Sequence, residues 1–433
     1  MPIRDAVKLR SLLCLLLLAL FFQPLHGETI DLPQAHMGVA IAAIEISGND
    51  RTQQRFILKW SGIEIGQTLS QQLLEDAQQR LFDKGLFRSI EFESSLIDGE
   101  SLLLHIRISE KRYSLLIPRL SRNGDGDVKK GLRLRMHNLQ GANQTLEVLL
   151  QEERESNGDE SEELRLGYRW PLYQRPYELQ WQLSVETEHT EVESFTNIVD
   201  TEFFHFKVTR DWYWQGLDLP LSLSTAYIFE QKVLDRPYPV ALDEIESGQY
   251  NRIQIGVAYE DVHQRRARRI GRYYALSWQR GFKWLGSDFE SSEVELDMRG
   301  YRPLNALDNI NYRLVLSLTD GGPFNGIAFD LGGSSSLRGL EDIDARGDVR
   351  FFSNVEYVIG YQQYPSFRSS LFIDIGNVYE DLKSTDLSNL RYTIGAGVRW
   401  NIESFVETDL FLDYGYNVEE SFGKIYGGTS LNF

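Results

Sequence analysis

The sequence predicts a mostly β protein, in which a small α+β domain is followed by a 16-stranded antiparallel transmembrane β-barrel. Three observations lead to this fold class. The chain starts with a secretory signal, residues beyond 111 alternate between apolar and polar side chains, and no later stretch of 18 apolar residues occurs. A membrane protein without such stretches spans the bilayer as a closed barrel, because lipid offers no partner for unpaired backbone groups.

Residues 1–27 are interpreted as a signal peptide. Three basic residues come first, an apolar run of 11 residues follows at Leu12–Phe22, and the small Gly27 offers a cleavage point. The run is too short to cross a bilayer as a helix, and an uncleaved anchor is the alternative. The single cysteine, Cys14, lies in this segment, so the remaining chain has no thiol for a disulfide or a Cys-ligated zinc.

The formal charge of the chain is −18, and removal of the signal, which carries a net charge of +2, leaves −20. Such an acidic balance argues against nucleic acid as a partner, because affinity for nucleic acid depends on neutralising phosphates. The acidic segment at residues 152–163 is expected to be a solvated hairpin. Its expected surroundings are outer-membrane lipid and lipopolysaccharide.

Residues 38–111 carry the pattern of one small α+β domain. Thr68 is expected to cap the second of two helices, whose apolar residues recur at helical spacing, and Gly85 is expected to end it. Glycine suits that place because the left-handed conformation costs it nothing. The predicted order is β-α-α-β-β: a strand at 39–46, a helix at 52–59, a helix between Thr68 and Gly85, and strands at 88–95 and 101–109.

Residues 112–433 alternate with a period of two, as in Tyr392–Trp400, where each apolar residue is followed by a small or charged one. One face of each strand therefore meets lipid and the other meets a wet, polar interior. A soluble β-sandwich or propeller is the alternative, but a sandwich does not usually place full charges on so many consecutive inner faces, and no repeat of the length of a propeller blade occurs. Sixteen segments are predicted, starting near residues 113, 129, 144, 161, 176, 200, 217, 248, 269, 290, 310, 347, 368, 391, 406 and 423.

Three motifs in the C-terminal third indicate the kind of barrel. They are Leu337-Arg338-Gly339-Leu340 in a long connection, Asn354-Val355-Glu356 on the twelfth segment, and Phe372-Ile373-Asp374-Ile375-Gly376 on the thirteenth. In this order they resemble the Arg-Gly loop and two strand motifs of the BamA/TamA superfamily, also called the bacterial surface antigen family. Two positions depart from the family's pattern, since Leu340 stands for an aromatic residue and Val358 for an arginine.

Arg338 is predicted to pair with Asp374 inside the barrel. Asp374 shares a strand face with Phe372 and Gly376, opposite apolar neighbours, so it points into the lumen. If the long connection folds inward, the guanidinium of Arg338 can form a forked pair with this carboxylate. With Gly339 and Glu356, the two residues would form a lumen-loop lock. A solvated arginine on a surface loop is the alternative.

Two further sites follow from resemblance. With Gly48-Asn49, Gly85-Leu86-Phe87 and Glu110-Lys111, residues 38–111 resemble a POTRA domain, although an unrelated α+β domain is the alternative. The resemblance implies that clients add a strand at an exposed sheet edge, where Arg88, Ile90 and Phe92 lie. The last residues resemble the C-terminal β-signal of barrels. This signal implies a weakly held seam formed by Ile425, Leu431, Phe433 and, on the first strand, Tyr113.

The resemblance implies an outer-membrane assembly or translocation factor, with residues 38–111 in the periplasm. Its implied partners are unfolded polypeptide clients and periplasmic subunits. No motif for a metal, a nucleotide or a catalytic set occurs, so we expect no cofactor, no metal and no enzymatic activity. A two-partner secretion transporter and a passive pore or scaffold are the alternatives. Two-partner transporters generally carry two POTRA domains, and about ten residues between the signal and the first strand leave no room for a second.

Overall fold

The structure is a computed structural model, and it describes most of the chain after residue 35. The signal interpretation of residues 1–27 and the seam residues Leu431 and Phe433 lie outside the described part. The described ranges are 36–97, 101–122, 128–154, 160–174, 177–194, 197–214, 220–235, 247–265, 268–321, 329–340, 346–406 and 409–428.

The N-terminal domain has the predicted order of two helices between strands. The elements are β1 (Ile41–Ser47), α1 (Gln54–Ser61), α2 (Gln71–Asp83), β2 (Phe87–Ile97) and β3 (Ser101–Glu110). Strand β3 is central, with β1 parallel to it on one side and β2 antiparallel on the other. The two helices bury their apolar sides against one face of this sheet, and the resulting core includes Leu74, Leu81 and Ile106.

Both helices begin two residues later than the sequence predicts. Thr68 does not cap α2. Instead, the hydroxyl of Ser70 accepts a hydrogen bond from the backbone N–H of Leu73 at 3.2 Å. Both residues are good caps by type, so residue type alone did not separate them. Gly85 has a φ of 70°, as expected for the residue that follows a helix end.

In the part of the chain that the structure describes, sixteen strands form one antiparallel sheet in sequence order. Each begins within four residues of its predicted start, and the fold class is confirmed. The strands are β4 (Ser114–Arg122), β5 (Val128–Leu139), β6 (Gln144–Arg154), β7 (Glu160–Gln174), β8 (Tyr177–Ser194), β9 (Asn197–Trp214), β10 (Leu221–Asp235), β11 (Gly248–Arg265), β12 (Arg268–Gly281), β13 (Ser292–Pro303), β14 (Asn309–Thr319), β17 (Val349–Tyr361), β18 (Tyr364–Tyr379), β19 (Arg391–Asn401), β20 (Asp409–Asn417) and β21 (Phe422–Gly428), with the short pair β15 (Phe329–Asp330) and β16 (Arg346–Gly347) between β14 and β17.

The two faces of the large sheet differ in exposure as the alternation predicts. On β18, Leu371 is 54% exposed and Ile373 is 44% exposed, whereas the adjacent Asp374 is 0% exposed. On β20, Leu412 is 53% exposed and the adjacent Asp413 only 1%. Apolar side chains therefore cover the outside, and charged side chains lie inside, where they find partners. Among the described residues, no helix is both long and apolar enough to cross a membrane.

Candidate functional site

Between β14 and β17, residues 329–340 fold into the barrel and pack on its inner wall. Leu331 and Leu337 are fully buried in a small apolar cluster with Val315, Phe352 and other side chains of the wall. The amide of Asn354 on β17 donates to the carbonyl of Ser336 at 2.6 Å. Apolar burial and this bond hold the tip of the loop at a defined height in the lumen.

Arg338 contacts Asp374 as the sequence predicts. Its Nε and Nη2 donate to the two carboxylate oxygens, both at 2.8 Å, and its backbone N–H donates to the same carboxylate at 3.1 Å. Such a forked pair fixes both position and orientation. The guanidinium also lies 3.4 Å from the ring centroid of Phe372, which is the residue two positions earlier on β18.

The pair is part of a larger cluster, which we call the Arg338 network: Arg338, Arg399, Glu356, Asp374 and Asp413. Nη1 of Arg338 lies 3.1 Å from an oxygen of Asp413 and 3.6 Å from an oxygen of Glu356. Arg399 on β19 forms ion pairs with both Glu356 and Asp413. Each of the five side chains is no more than 9% exposed.

The network joins one loop to four neighbouring strands, β17 to β20. It contains two guanidinium groups and three carboxylates, so every carboxylate contacts a guanidinium that also contacts a second carboxylate. Buried charges of this kind are costly to leave unpaired, and removal of one cation exposes several anions to each other. Arg399 and Asp413 carry no motif, and the sequence prediction omitted them. Their inward position follows from the alternation, since Arg399 follows Gly395 and Gly397 on the same face.

The arginine expected two residues after Glu356 is absent, because Val358 stands there. In the structure Arg399 of β19 supplies the guanidinium that Glu356 contacts. The cation therefore reaches the same carboxylate from a strand two positions away in the sheet.

Gly339 links the loop to the last described strand. Its φ of 103° lies in the region that favours glycine, and its backbone N–H donates to the hydroxyl of Tyr426 on β21 at 3.0 Å. That hydroxyl in turn donates to the carbonyl of Leu340 at 3.2 Å. Loop position and the position of β21 are thus coupled through one tyrosine.

Strands β4 and β21 form the two ends of the large sheet, and no pairing between them is present among the described residues. Ile425 is 60% exposed on the outer face of β21. Tyr113 does not lie at the seam, where the sequence predicts it. It precedes β4, is 3% exposed and packs in the core of the N-terminal domain, where its hydroxyl oxygen lies 3.2 Å from the hydroxyl oxygen of Thr52. Burial raises the pKa of the Tyr113 phenol, which keeps it neutral.

The linker residue Arg112 bonds to the turn between β19 and β20. Its N–H donates to the carbonyl of Ser404 at 2.8 Å, and its carbonyl accepts from the N–H of Val406 at 3.2 Å. The Arg112 guanidinium lies 5.5 Å from the ring centroid of Phe405. We call this contact of Arg112 with residues 404–406 the linker clasp. It connects the residue that enters β4 with the strand beside β21, so it bridges the seam at one end.

The N-terminal domain touches the barrel rim at two further places. Near the first strands, the side chain of Gln53 donates to the carbonyl of Gln140 at 2.6 Å. Near β11, Asp83 at the end of α2 lies 2.9 Å from His263 and accepts from the N–H of Gln264 at 3.0 Å. Since β5 and β11 are six strands apart in the sheet, the domain extends across this end of the barrel.

Strand β2 lies at an edge of the small sheet, as the client-binding prediction requires. The side chains do not all take part, however. Ile90 and Phe92 are each 3% exposed and belong to the core, because they face the helices, and only Arg88 faces outward. The carbonyl of Ile90 also accepts from the amide of Gln78 at 2.9 Å. Any added strand would therefore meet the backbone of β2 and exposed side chains such as Glu91.

Family models match both parts of the chain. The Omp85 superfamily domain matches residues 138–405, and the POTRA model, described as a surface antigen variable number repeat, matches residues 39–111. These matches confirm the resemblance to the BamA/TamA superfamily and to a POTRA domain that the motifs indicated. No curated protein sequence matches the chain.

Solved structures share the fold at low sequence identity. BamA from Haemophilus ducreyi lacking POTRA domains 1–3 is 16% identical with a TM-score of 0.55, covering 90% of this chain and 84% of that one. CdiB from Acinetobacter baumannii is 12% identical with a TM-score of 0.63, covering 90% and 73%. CdiB from Escherichia coli is 11% identical with a TM-score of 0.53, covering 98% of each chain.

Proposed function

We propose a function for this chain, which belongs to the Omp85 superfamily. It receives polypeptide clients on its POTRA domain and inserts them into the outer membrane through the seam between β4 and β21. In this proposal the barrel lies in the outer membrane and residues 38–111 lie in the periplasm. The chain acts by binding and releasing polypeptide, and the free energy comes from client folding. Lipid and periplasmic subunits are its further partners.

One observation carries the proposal: the buried Arg338 network is connected to the sheet end. The loop that carries Arg338 contacts β17 to β20 through ion pairs and β21 through Tyr426. The inner wall beside the seam is therefore braced by the loop, while β21 itself is short and rich in glycine. A braced wall next to a weakly paired edge suits opening at that edge.

Insertion is favoured over export by where the loop lies. Residues 329–340 occupy the lumen beside the C-terminal wall and are tied to it by buried charges. A client that crossed the lumen would have to pass these residues, whereas a client that adds to β4 or β21 would not. Within the described residues β4 and β21 are not paired with each other, so their edges offer backbone groups that a client strand can satisfy.

A photo-reactive amino acid at Glu91 is expected to crosslink client polypeptides in living cells. Glu91 is exposed on β2 next to the edge backbone, so its side chain would lie beside an added strand. The same label at Gln72, which is exposed on α2 away from that edge, is expected to give little crosslinking. Crosslinked products are identified by mass spectrometry.

Equal labelling from Glu91 and Gln72 would show nonspecific contact and count against client binding at β2. A third label at Ile425, exposed on β21, tests the seam. Crosslinks to the same client from Glu91 and Ile425 support transfer from the domain to the seam. Crosslinks from Glu91 alone contradict insertion at the seam.

A disulfide across the linker clasp is expected to stop client insertion. Arg112 and Phe405 are bridge partners in parallel orientation, close enough for a disulfide between cysteines at these positions. With the natural cysteine removed by signal cleavage, the introduced pair holds the only thiols. Oxidation would fix the linker to the turn before β20, so the seam could not widen at this end. Insertion is measured before and after reduction, which is expected to restore it.

The matched control is a cysteine pair at Lys129 and Glu153, which face each other on β5 and β6. This pair closes two adjacent strands away from the seam, so oxidation should leave insertion unchanged. Normal insertion with the Arg112–Phe405 disulfide fully formed would contradict opening at this end. It would mean that insertion does not require the seam to widen where the linker enters the barrel.

A further inference from the structure

A cavity of about 50 Å³ lies in the lumen at the end of the barrel where the linker enters. Its wall includes Arg268, Arg269, Asn311, Glu356, Arg368 and Arg399. Glu356 and Arg399 are inward residues of the large sheet, with outward neighbours that are exposed, such as Trp400 at 54%. The cavity therefore opens to the lumen rather than to lipid. Its volume exceeds the roughly 30 Å³ share of one water, which leaves room for a carboxylate group.

The wall of this cavity has an excess of positive charge in a chain whose formal charge is −18. Four arginines line it against two carboxylates, those of Glu356 and Asp409. Glu356 is already paired with Arg399, and Asp409 accepts from the amide of Asn401 at 2.6 Å. Both carboxylates of the wall therefore already have partners, and they lie on one side of the cavity.

On the other side, Arg368 forms no ion pair within 4 Å among the described residues, and its acidic neighbours Asp308 and Asp409 act on its charge only from a greater distance. Its Nη2 donates to the carbonyl of Leu307 at 3.2 Å, and its buried Nε has no hydrogen-bond partner among the residues that the structure describes. Arg268 is 6% exposed and donates to the carbonyl of Asn305 at 2.7 Å. A carbonyl group compensates a buried guanidinium poorly, so Arg368 favours an anion beside its unpartnered Nε.

We propose that this cavity binds a carboxylate group of a polypeptide client as the client passes from the POTRA domain to the barrel. The inference rests on the proposed function and names the chemistry of one contact. The location of the cavity beside the POTRA domain supports a polypeptide as the source of this carboxylate. Gln264 lines the cavity, and its backbone bonds to Gln79 at 3.3 Å and Asp83 at 3.0 Å, both on α2 of the POTRA domain. A carboxylate held here would accept from Arg368 through two oxygens, which a guanidinium fork matches.

The test uses the full mature chain in nanodiscs of phosphatidylcholine and a fluorescent, C-terminally amidated heptapeptide with two glutamates. Fluorescence anisotropy is expected to show binding that weakens with salt, and the same peptide with glutamines should bind at least tenfold more weakly. Arg368→Gln is expected to weaken binding of the glutamate peptide about tenfold, the loss expected for one charge-assisted hydrogen bond. The control Arg154→Gln changes an arginine whose side chain is 73% exposed, far from the cavity, and should bind normally.

Asn311→Asp provides a second variant that keeps every arginine. It places a carboxylate in the cavity wall, so it should weaken peptide binding by a similar factor without lowering the unfolding temperature. Normal binding by both Arg368→Gln and Asn311→Asp would overturn the assignment. Equal affinity for the two peptides would also overturn it, while client binding and the proposed function would stand. Binding of inorganic phosphate that depends on Arg368, without binding of the glutamate peptide, would overturn the carboxylate in favour of a phosphate group.

Discussion

Arg338→Ala is expected to lower the free energy of unfolding of the barrel by about 3–5 kcal/mol and to abolish client insertion. The substitution removes one of two cations from a cluster with three carboxylates, and it leaves Asp374, 0% exposed, without the forked pair. Arg399 remains, but it already contacts Glu356 and Asp413. The loop would then be held by its apolar residues and by the bond from Asn354 to Ser336, and the brace on β21 through Gly339 and Tyr426 would weaken.

The measurement is the urea or thermal midpoint of barrel unfolding in micelles, together with an insertion assay. Arg165→Ala is the matched control. Arg165 on β7 pairs with Glu163 at 2.7 Å, but its side chain is 44% exposed. We expect a loss of less than about 1 kcal/mol there, because solvent screens a partly exposed pair. Equal losses of unfolding free energy for the two variants would show that burial of the Arg338 network adds nothing to barrel stability.

Arg338→Lys separates charge from geometry. Lysine keeps the positive charge, but it cannot donate to both oxygens of Asp374 in the plane of the carboxylate. We therefore expect an intermediate loss of stability and a large loss of insertion, since loop position depends on the fork. Full insertion by the lysine variant would mean that charge alone holds the loop.

The alternation of apolar and polar residues predicts the large sheet well because a barrel has only two environments. Every strand residue faces either lipid or lumen, and a change of one residue in register would exchange them, so the pattern is strict. The contact of Arg338 with Asp374 was also predictable. Asp374 has a fixed face on β18, and the resemblance of Leu337-Arg338-Gly339-Leu340 to a family motif pointed to Arg338 as its partner.

The remaining members of the network were not predictable in the same way. Arg399 and Asp413 are two among many inward charges, and the pattern fixes their face without fixing their height in the lumen. Their partners depend on the relative register of β17, β19 and β20. The same limit applies to the linker clasp, since neither Arg112 nor Ser404 contributes more than backbone groups to its hydrogen bonds. Backbone bonds of this kind are compatible with most residue types, so they leave little signal in the sequence.

A close backbone contact explains why glycine occurs at position 415. A Cβ atom added to Gly415 on β20 would lie 2.5 Å from the carbonyl carbon and oxygen of Arg338. These are backbone atoms, held by the ion pairs of the Arg338 side chain and by the bond from Gly339 to Tyr426. Neither partner can rotate away as a side-chain tip could. The loop therefore rests directly on the strand, and the absence of a side chain permits its position.

Gly415→Ala is expected to displace the Arg338 loop and to lower barrel stability by about 1–3 kcal/mol, the usual cost of an overpacked contact. The added methyl group would push Arg338 away from Asp374 and Asp413, so insertion should fall nearly as far as in Arg338→Ala. Gly427→Ala on β21 is the control, because its Cβ would lie 3.4 Å from a methyl group of Leu412 and 3.5 Å from the carbonyl oxygen of Phe411, which are ordinary contacts. Insertion and unfolding midpoints are measured for both variants.

In the double variant Gly415→Ala/Arg338→Ala the two losses should not add, since each removes the same docked loop. Additive losses would show that Gly415 acts on the fold of β20 alone and that the docked position of the loop has no part in its effect.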